Sequence, residues 1–244
     1  MGFNLPIFPV YRYIVMMKHY VPAALAGAAV VLVLSCTSVD PAKKYPNMVA
    51  NVDPISAGTI EAEFDRFFST KLNKNTVEAI FYPRLNAVAL EFRYEMIRYR
   101  QFWDEDTRKQ FADALERYKT DYAARNLTTK YRKSRSIYGR IKGRVEWETF
   151  KLTKTRVGYP VIELGYRFKE NSPFFATLMR SAKEENPPPG ESSSESPQVT
   201  MYFTRAQADE LVKLFDQAYL MGLLGGTDNS QSEQPLIVDE YREF

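Results

Sequence analysis

From Ala87 to Met96 the chain reads AVALEFRYEM, and its side chains alternate without a break. Val88, Leu90, Phe92, Tyr94 and Met96 fall on one side, while Ala89, Glu91, Arg93 and Glu95 fall on the other. A period of two belongs to an extended strand, whose successive side chains point to opposite faces. One apolar and one charged face mark an antiparallel strand with one side in water, and a slip of one residue would turn the whole apolar set outward. The pattern recurs twice at length. Ile137, Gly139, Ile141, Gly143, Val145 and Trp147 alternate with Tyr138, Arg140, Lys142, Arg144 and Glu146; Ile162, Leu164, Tyr166 and Phe168 alternate with Glu163, Gly165 and Arg167. Whatever else this chain does, it must build a sheet.

Shorter stretches extend the reading. Thr59 to Phe68 places Ile60, Ala62, Phe64 and Phe68 on one face, although Ile60, Phe64 and Phe67 also satisfy a helix, so both readings stay open there. Val77 to Tyr82, Phe174 to Met179 and Val199 to Phe203 are further strand candidates, with turns expected at Pro83-Arg84-Leu85-Asn86 and Asn171-Ser172-Pro173. Twice the period changes to that of a helix. Asp104 is placed to cap a helix whose Phe111, Ala114, Leu115, Tyr118 and Tyr122 form one apolar stripe, with Glu105 and Asp106 at its positive end. Thr204-Arg205-Ala206-Gln207 reads as a capping box opening a second helix, with Ala208, Leu211, Phe215, Ala218 and Tyr219 on one side and Gly222 suited to end it.

Aligning QFWDEDTRKQFADALERYK with MYFTRAQADELVKLFDQAY at an offset of 100 residues matches Trp103 with Phe203, the two caps, Phe111 with Leu211 and Leu115 with Phe215. The expected fold class is therefore α+β: two pseudo-repeated units of antiparallel strands, each followed by one amphipathic helix, at 56–126 and 127–224. Within the second unit, 183–198 is rich in Pro, Ser and Glu and cannot bury enough apolar surface to order itself; 225–244 reads as a flexible tail. Repeated units of about four strands and a helix resemble the PUR-repeat family and related folds. That resemblance implies single-stranded nucleic-acid binding on a basic, aromatic sheet face.

The N-terminal region is of another kind. Val21 to Leu34 is wholly apolar or small, follows Lys18 and His19, and ends at Ser35 and Cys36. Its length suits a cleaved secretory signal better than a membrane span, which needs about 20 residues. Val33-Leu34-Ser35-Cys36 resembles the lipobox of bacterial lipoproteins, particularly the relaxed boxes of spirochaetal ones. The resemblance implies cleavage before Cys36, with diacylglycerol on its sulfur and usually an acylated amino group. Residues 1–35 are then the signal peptide, in which Met16 or Met17 suits the start better than Met1, and 36–55 is a tether with Pro41, Pro46 and Pro54. Several acyl chains hold a protein to a bilayer durably where one does not. An exported protein, anchored to the inner or outer membrane and facing the periplasm or the exterior, is the expectation.

Cleavage has a chemical consequence. It removes His19, the only histidine, and commits Cys36, the only cysteine. Serine triads, cysteine–histidine dyads and histidine or thiolate metal sites lose their essential groups. No cofactor or metal is expected, and no enzyme; the carboxylates Glu146 with Glu148, or Glu61 with Glu63, are the nearest pairs a hydrolase could use. Of 33 basic residues, loss of Arg12 and Lys18 leaves 31 against 30 acidic ones, so bulk attraction to polyanions is weak and nucleic acid is an unfavoured partner. One stretch stands out against that balance. Lys130, Arg132, Lys133, Arg135, Arg140, Lys142 and Arg144 run without an acid among them, with Tyr131 and Tyr138 interleaved. They are the candidate site for an anionic surface, either lipid headgroups or an acidic partner. The expected function is a lipid-anchored, non-enzymatic interaction or scaffold module of the cell envelope with a protein partner or anionic headgroups. A carrier of lipid or another apolar ligand is the alternative, and a nucleic-acid-binding protein the second one should the chain not be exported.

Overall fold

The structure, a computed structural model, describes residues 45–66, 69–129, 136–149, 154–169 and 171–225. Four strands form an antiparallel meander: β1 (Ile55–Arg66), β2 (Ser69–Tyr82), β3 (Ala87–Tyr94) and β4 (Ile97–Asp104). Helix α1 (Glu105–Ala123) follows, and Asp104 caps it as its sequence required, its Oδ1 accepting from Thr107 N at 2.8 Å. The chain then forms β5 (Ile137–Lys142), β6 (Arg144–Thr149) and β7 (Arg156–Gly158). A second meander comprises β8 (Val161–Lys169), β9 (Ser172–Met179) and β12 (Val199–Phe203). Between β9 and β12 the excursion returns through a two-residue ladder of β10 (Ala182–Lys183) and β11 (Glu195–Ser196). Helices α2 (Arg205–Phe215) and α3 (Gln217–Gly225) end the described chain.

The expectation of two separate strands-and-helix units is corrected by the pairing. One sheet of ten strands runs in the order β5-β8-β9-β12-β1-β2-β3-β4-β6-β7, so the fold is dominated by a single curled antiparallel sheet. The first strand of the first meander pairs with the last strand of the second, Glu63 opposite Tyr202 and Phe64 opposite Met201. The other junction is made by one extended run. β5 and β6 are separated only by Gly143, yet β5 bonds β8 while β6 bonds β4. β5, at one end of the strand order, runs straight into β6, which pairs with β7 at the other end, and so the sheet closes. Tilt and stagger of this kind follow from strand twist when a sheet curls round. Gly143 sits at the seam: a Cβ there would lie 3.0 Å from Ile162 Cδ1 and 3.7 Å from the Phe102 carbonyl oxygen.

Closure gives the alternating faces their meaning. Ile60, Ala62, Phe64, Val77, Ala79, Phe81, Val88, Leu90 and Phe92 of the first meander share one buried core with Ile141, Val145, Trp147, Ile162, Leu164, Phe175, Met201 and Phe203. The α1 stripe enters the same core through Phe111, Ala114, Leu115 and Tyr118, and α2 through Ala208, Leu211 and Phe215. Phe111 is the hub, with ring centroids 5.7 Å from Trp103, 5.2 Å from Phe175 and 5.3 Å from Phe215, all edge-on. Such rings bury large area, and each pair adds about 1 kcal/mol beyond it.

Two local details depart from the sequence reading. β1 carries a bulge at Ser56/Gly58, and Gly58 takes φ +141°, a conformation that L side chains rarely adopt; a Cβ there would meet Leu214 of α2 at 3.0 Å. The second helix stops at Phe215 rather than near Gly222, because Asp216 turns extended (ψ 127°) and its carboxylate then accepts from Tyr219 N at 2.8 Å, capping α3. Gly222 lies inside α3.

Candidate functional site

Of the basic stretch, Lys130, Arg132, Lys133 and Arg135 lie outside the described residues, as does Cys36. Arg140 and Lys142 on β5 and Arg144 on β6 share the outward face of the closing strand. The wall around them is alternating in sign. Arg140 stands opposite Glu163 of β8 and donates to it at 3.4 Å, and Arg180 donates to the other oxygen at 3.0 Å. Arg144 donates to Glu146 at 2.5 Å and lies 5.1 Å from the Phe102 ring centre. Lys142 lies 5.8 Å from that of Tyr159.

The pairing continues round the wall. Arg100 of β4 stands between Glu91 of β3 and Glu146 of β6 in register, and binds both, at 2.6 Å and 2.9 Å; Arg98 donates to Glu91 at 2.7 Å. Burial alone would raise the Glu91 pKa, but the Arg98 and Arg100 guanidiniums outweigh it and hold the carboxyl below its usual 4.5. Desolvation depresses the Arg144 pKa against the pull of Glu146. The acid that answers Arg140 was hidden from the sequence because Glu163 arrives across a strand ladder, whereas Glu146, which answers Arg144, stands two residues along the chain.

The carboxylate pairs are likewise engaged. Glu146 is held by Arg100 and Arg144, Glu148 accepts from Thr155 Oγ1 at 2.5 Å, and Glu61 lies 3.7 Å from Lys74 Nζ. Among the described residues no group of three or more His, Cys, Asp or Glu side chains is arranged to hold a metal ion.

A cleft of about 230 Å³ opens beside the end of β8. Asp65 accepts there from Lys169 Nζ and from the Tyr202 hydroxyl, the latter at 2.8 Å, and the Thr128 amide donates to the Tyr166 hydroxyl at 3.2 Å. Burial first, then Asp65, pushes the Tyr202 pKa above its ordinary value. Thr129 and Ser136, which also line the cleft, flank the basic segment 130–135 in sequence.

Residues 55–221, from the first residue of β1 into α3, match a family described as "Uncharacterised Treponema protein". The chain belongs to that family. The matched span takes in every described strand together with helices α1 and α2. A protein of Treponema pallidum (strain Nichols), described as "Uncharacterized protein", is similar to the chain at 22% identity over 203 residues, covering 83% of this chain and 69% of the relative. A treponemal family fits the spirochaetal character read from VLSC. No solved structure matches the chain.

Proposed function

We propose that this Treponema-family chain is a lipid-anchored, non-enzymatic interaction module of the cell envelope, held by Cys36 and working through the outside of its closed sheet. The observation that carries the reading is the filled interior. Trp103, Phe111, Phe175, Phe203 and Phe215 occupy the inside with their rings in contact, and Tyr118 stacks on Tyr166 beneath them. A lumen packed with side chains leaves recognition to the wall, which argues for a partner surface over a carrier of apolar ligands. The wall presents cations and carboxylates in register, a pattern suited to a protein with complementary charges more than to a uniformly anionic leaflet.

The anchor is tested by mass spectrometry of protein extracted from native membranes. The expected product starts at Cys36 and carries acyl chains, and Cys36→Ala moves the protein to the soluble fraction. A full-length chain with a free thiol at Cys36 overturns the anchor. Crosslinking in intact envelopes tests the module: a discrete protein adduct, lost when Arg98 and Arg100 are replaced by Glu, is expected, and lipid-only adducts would count against a protein partner.

A further inference from the structure

We propose that the end of the closed sheet carrying α3 is the face that rests on the bilayer, with the outer side of α3 seated among the lipid headgroups. This rests on the lipid-anchor reading and adds to it the face presented to the membrane. The first ground is the composition of α3. Its sequence, QAYLMGLLG, has no charged residue. A helix that is apolar all round is ordinarily covered all round. Here the described residues cover one side only: Leu220 is buried and Leu223 and Leu224 pack partly against the core, whereas Tyr219 and Met221 are 41% and 39% exposed. Tyr219 donates its hydroxyl to the Ala57 carbonyl at 2.7 Å and leaves its ring outward. Tyrosine, with an apolar body and a polar tip, is a residue that membrane interfaces favour.

The second ground is where the chain enters. Val49 N donates to the Pro83 carbonyl at 3.0 Å and Arg84 to Asn51 at 2.8 Å, so residues 45–54 lie along the turn between β2 and β3. The same turn holds α3, through Gln217 Nε2 to Asn86 Oδ1 at 3.2 Å. Val52, also exposed, belongs to this end. From Cys36 to Tyr45 there are nine links of chain, which reach at most about 30 Å when fully extended. A lipid on Cys36 therefore keeps this end near the bilayer, while Met96, in the turn at the far end of β3, lies about 27 Å further along the strand. With nine residues α3 is about 14 Å long, too short to span, and so lies along the interface.

The test uses the full lipidated chain in phosphatidylcholine–phosphatidylglycerol vesicles. Once the Cys36 sulfur is in a thioether, a cysteine introduced as Met221→Cys or, for the opposite end, Met96→Cys is the sole reactive thiol, and each is labelled with an environment-sensitive fluorophore. Ala218→Cys, on the same exposed side of α3, serves if the first variant does not fold. The expected result is severalfold stronger quenching by doxyl-labelled lipid at position 221 or 218 than at 96, with the order reversed for aqueous iodide. Equal quenching at both ends overturns the proposal. So does a label on α3 shielded from both quenchers, the signature of coverage by residues 226–244 or a second copy. Failure of the anchor is read separately, as a free Cys36 thiol in the intact mass and loss of vesicle flotation.

Discussion

Arg108 is 3% exposed and its guanidinium is held by uncharged oxygens: the carbonyls of Asn86 at 3.0 Å and Trp103 at 3.3 Å, and Gln217 Oε1 at 2.5 Å. It ties the β2–β3 turn, the end of β4 and the start of α3 to the first turn of α1. Desolvation lowers its pKa, with Glu105 and Asp104 opposing, but a guanidinium stays charged at any ordinary pH. Arg108→Ala strands three buried acceptors and is expected to cost about 3 kcal/mol. Urea unfolding measures this, and a loss within a few tenths would show that the network carries no weight. Lys at 108 restores little, since a single ammonium cannot fork to three acceptors. Nothing along the sequence marks this residue. Fourth in its helix and next to Lys109, it reads as wet surface, because its partners come from three distant segments.

Strands and helices were legible where their pattern is local. The inner faces of β3, β5, β6 and β8 follow from their alternation, although the outer face of β3 is buried as well at Ala89 and Glu91, and both helix starts follow from their caps, the Thr204–Gln207 box closing with bonds of 2.8 Å and 3.3 Å. β4 was not legible as a strand of its own, because its faces are mixed. Gln101 points inward to the Met179 sulfur, while Phe102 points outward to pack edge-on against Tyr82 at 5.3 Å. Cross-strand partners were equally hidden, and they set the acid response. Glu91 keeps a pKa below 4.5 when folded, so its stabilising share is full above about pH 4.5 and is lost as pH falls through the depressed value. Glu91→Gln is therefore expected to lower stability near neutrality and to flatten its decline on acidification. Melting midpoints between about pH 3 and 7 measure it, and curves that stay parallel would refute the assignment.

For the molecule as a whole, the closing strand is the decisive element. Residues 137–149 bond β8 through one half and β4 through the other, so neither meander keeps its outer ladder if the other opens. Unfolding is expected as one transition, with tryptophan fluorescence and far-ultraviolet dichroism coincident. Two resolved steps would mean that the halves stand independently after all. Gly143→Val forces its side chain onto Ile162 Cδ1 and is expected to cost about 2 kcal/mol, partly recovered when Ile162→Val is added. The similarity between the two strand-to-helix junctions was read as two repeated units, which the single sheet overturns. It could not reveal that the strands belong to one sheet, because pairing across the whole length leaves no periodic trace in the chain.

Pairing of β1 with β12 sets a timetable. Glu63 has no neighbour on that side until Tyr202 has been delivered, and contacts so remote in sequence form slowly and late. A polypeptide of this design stays incomplete through nearly all of its own delivery. If it is threaded across a membrane amino end first, the ring can shut only on the far side, after the last of its described strands has come through.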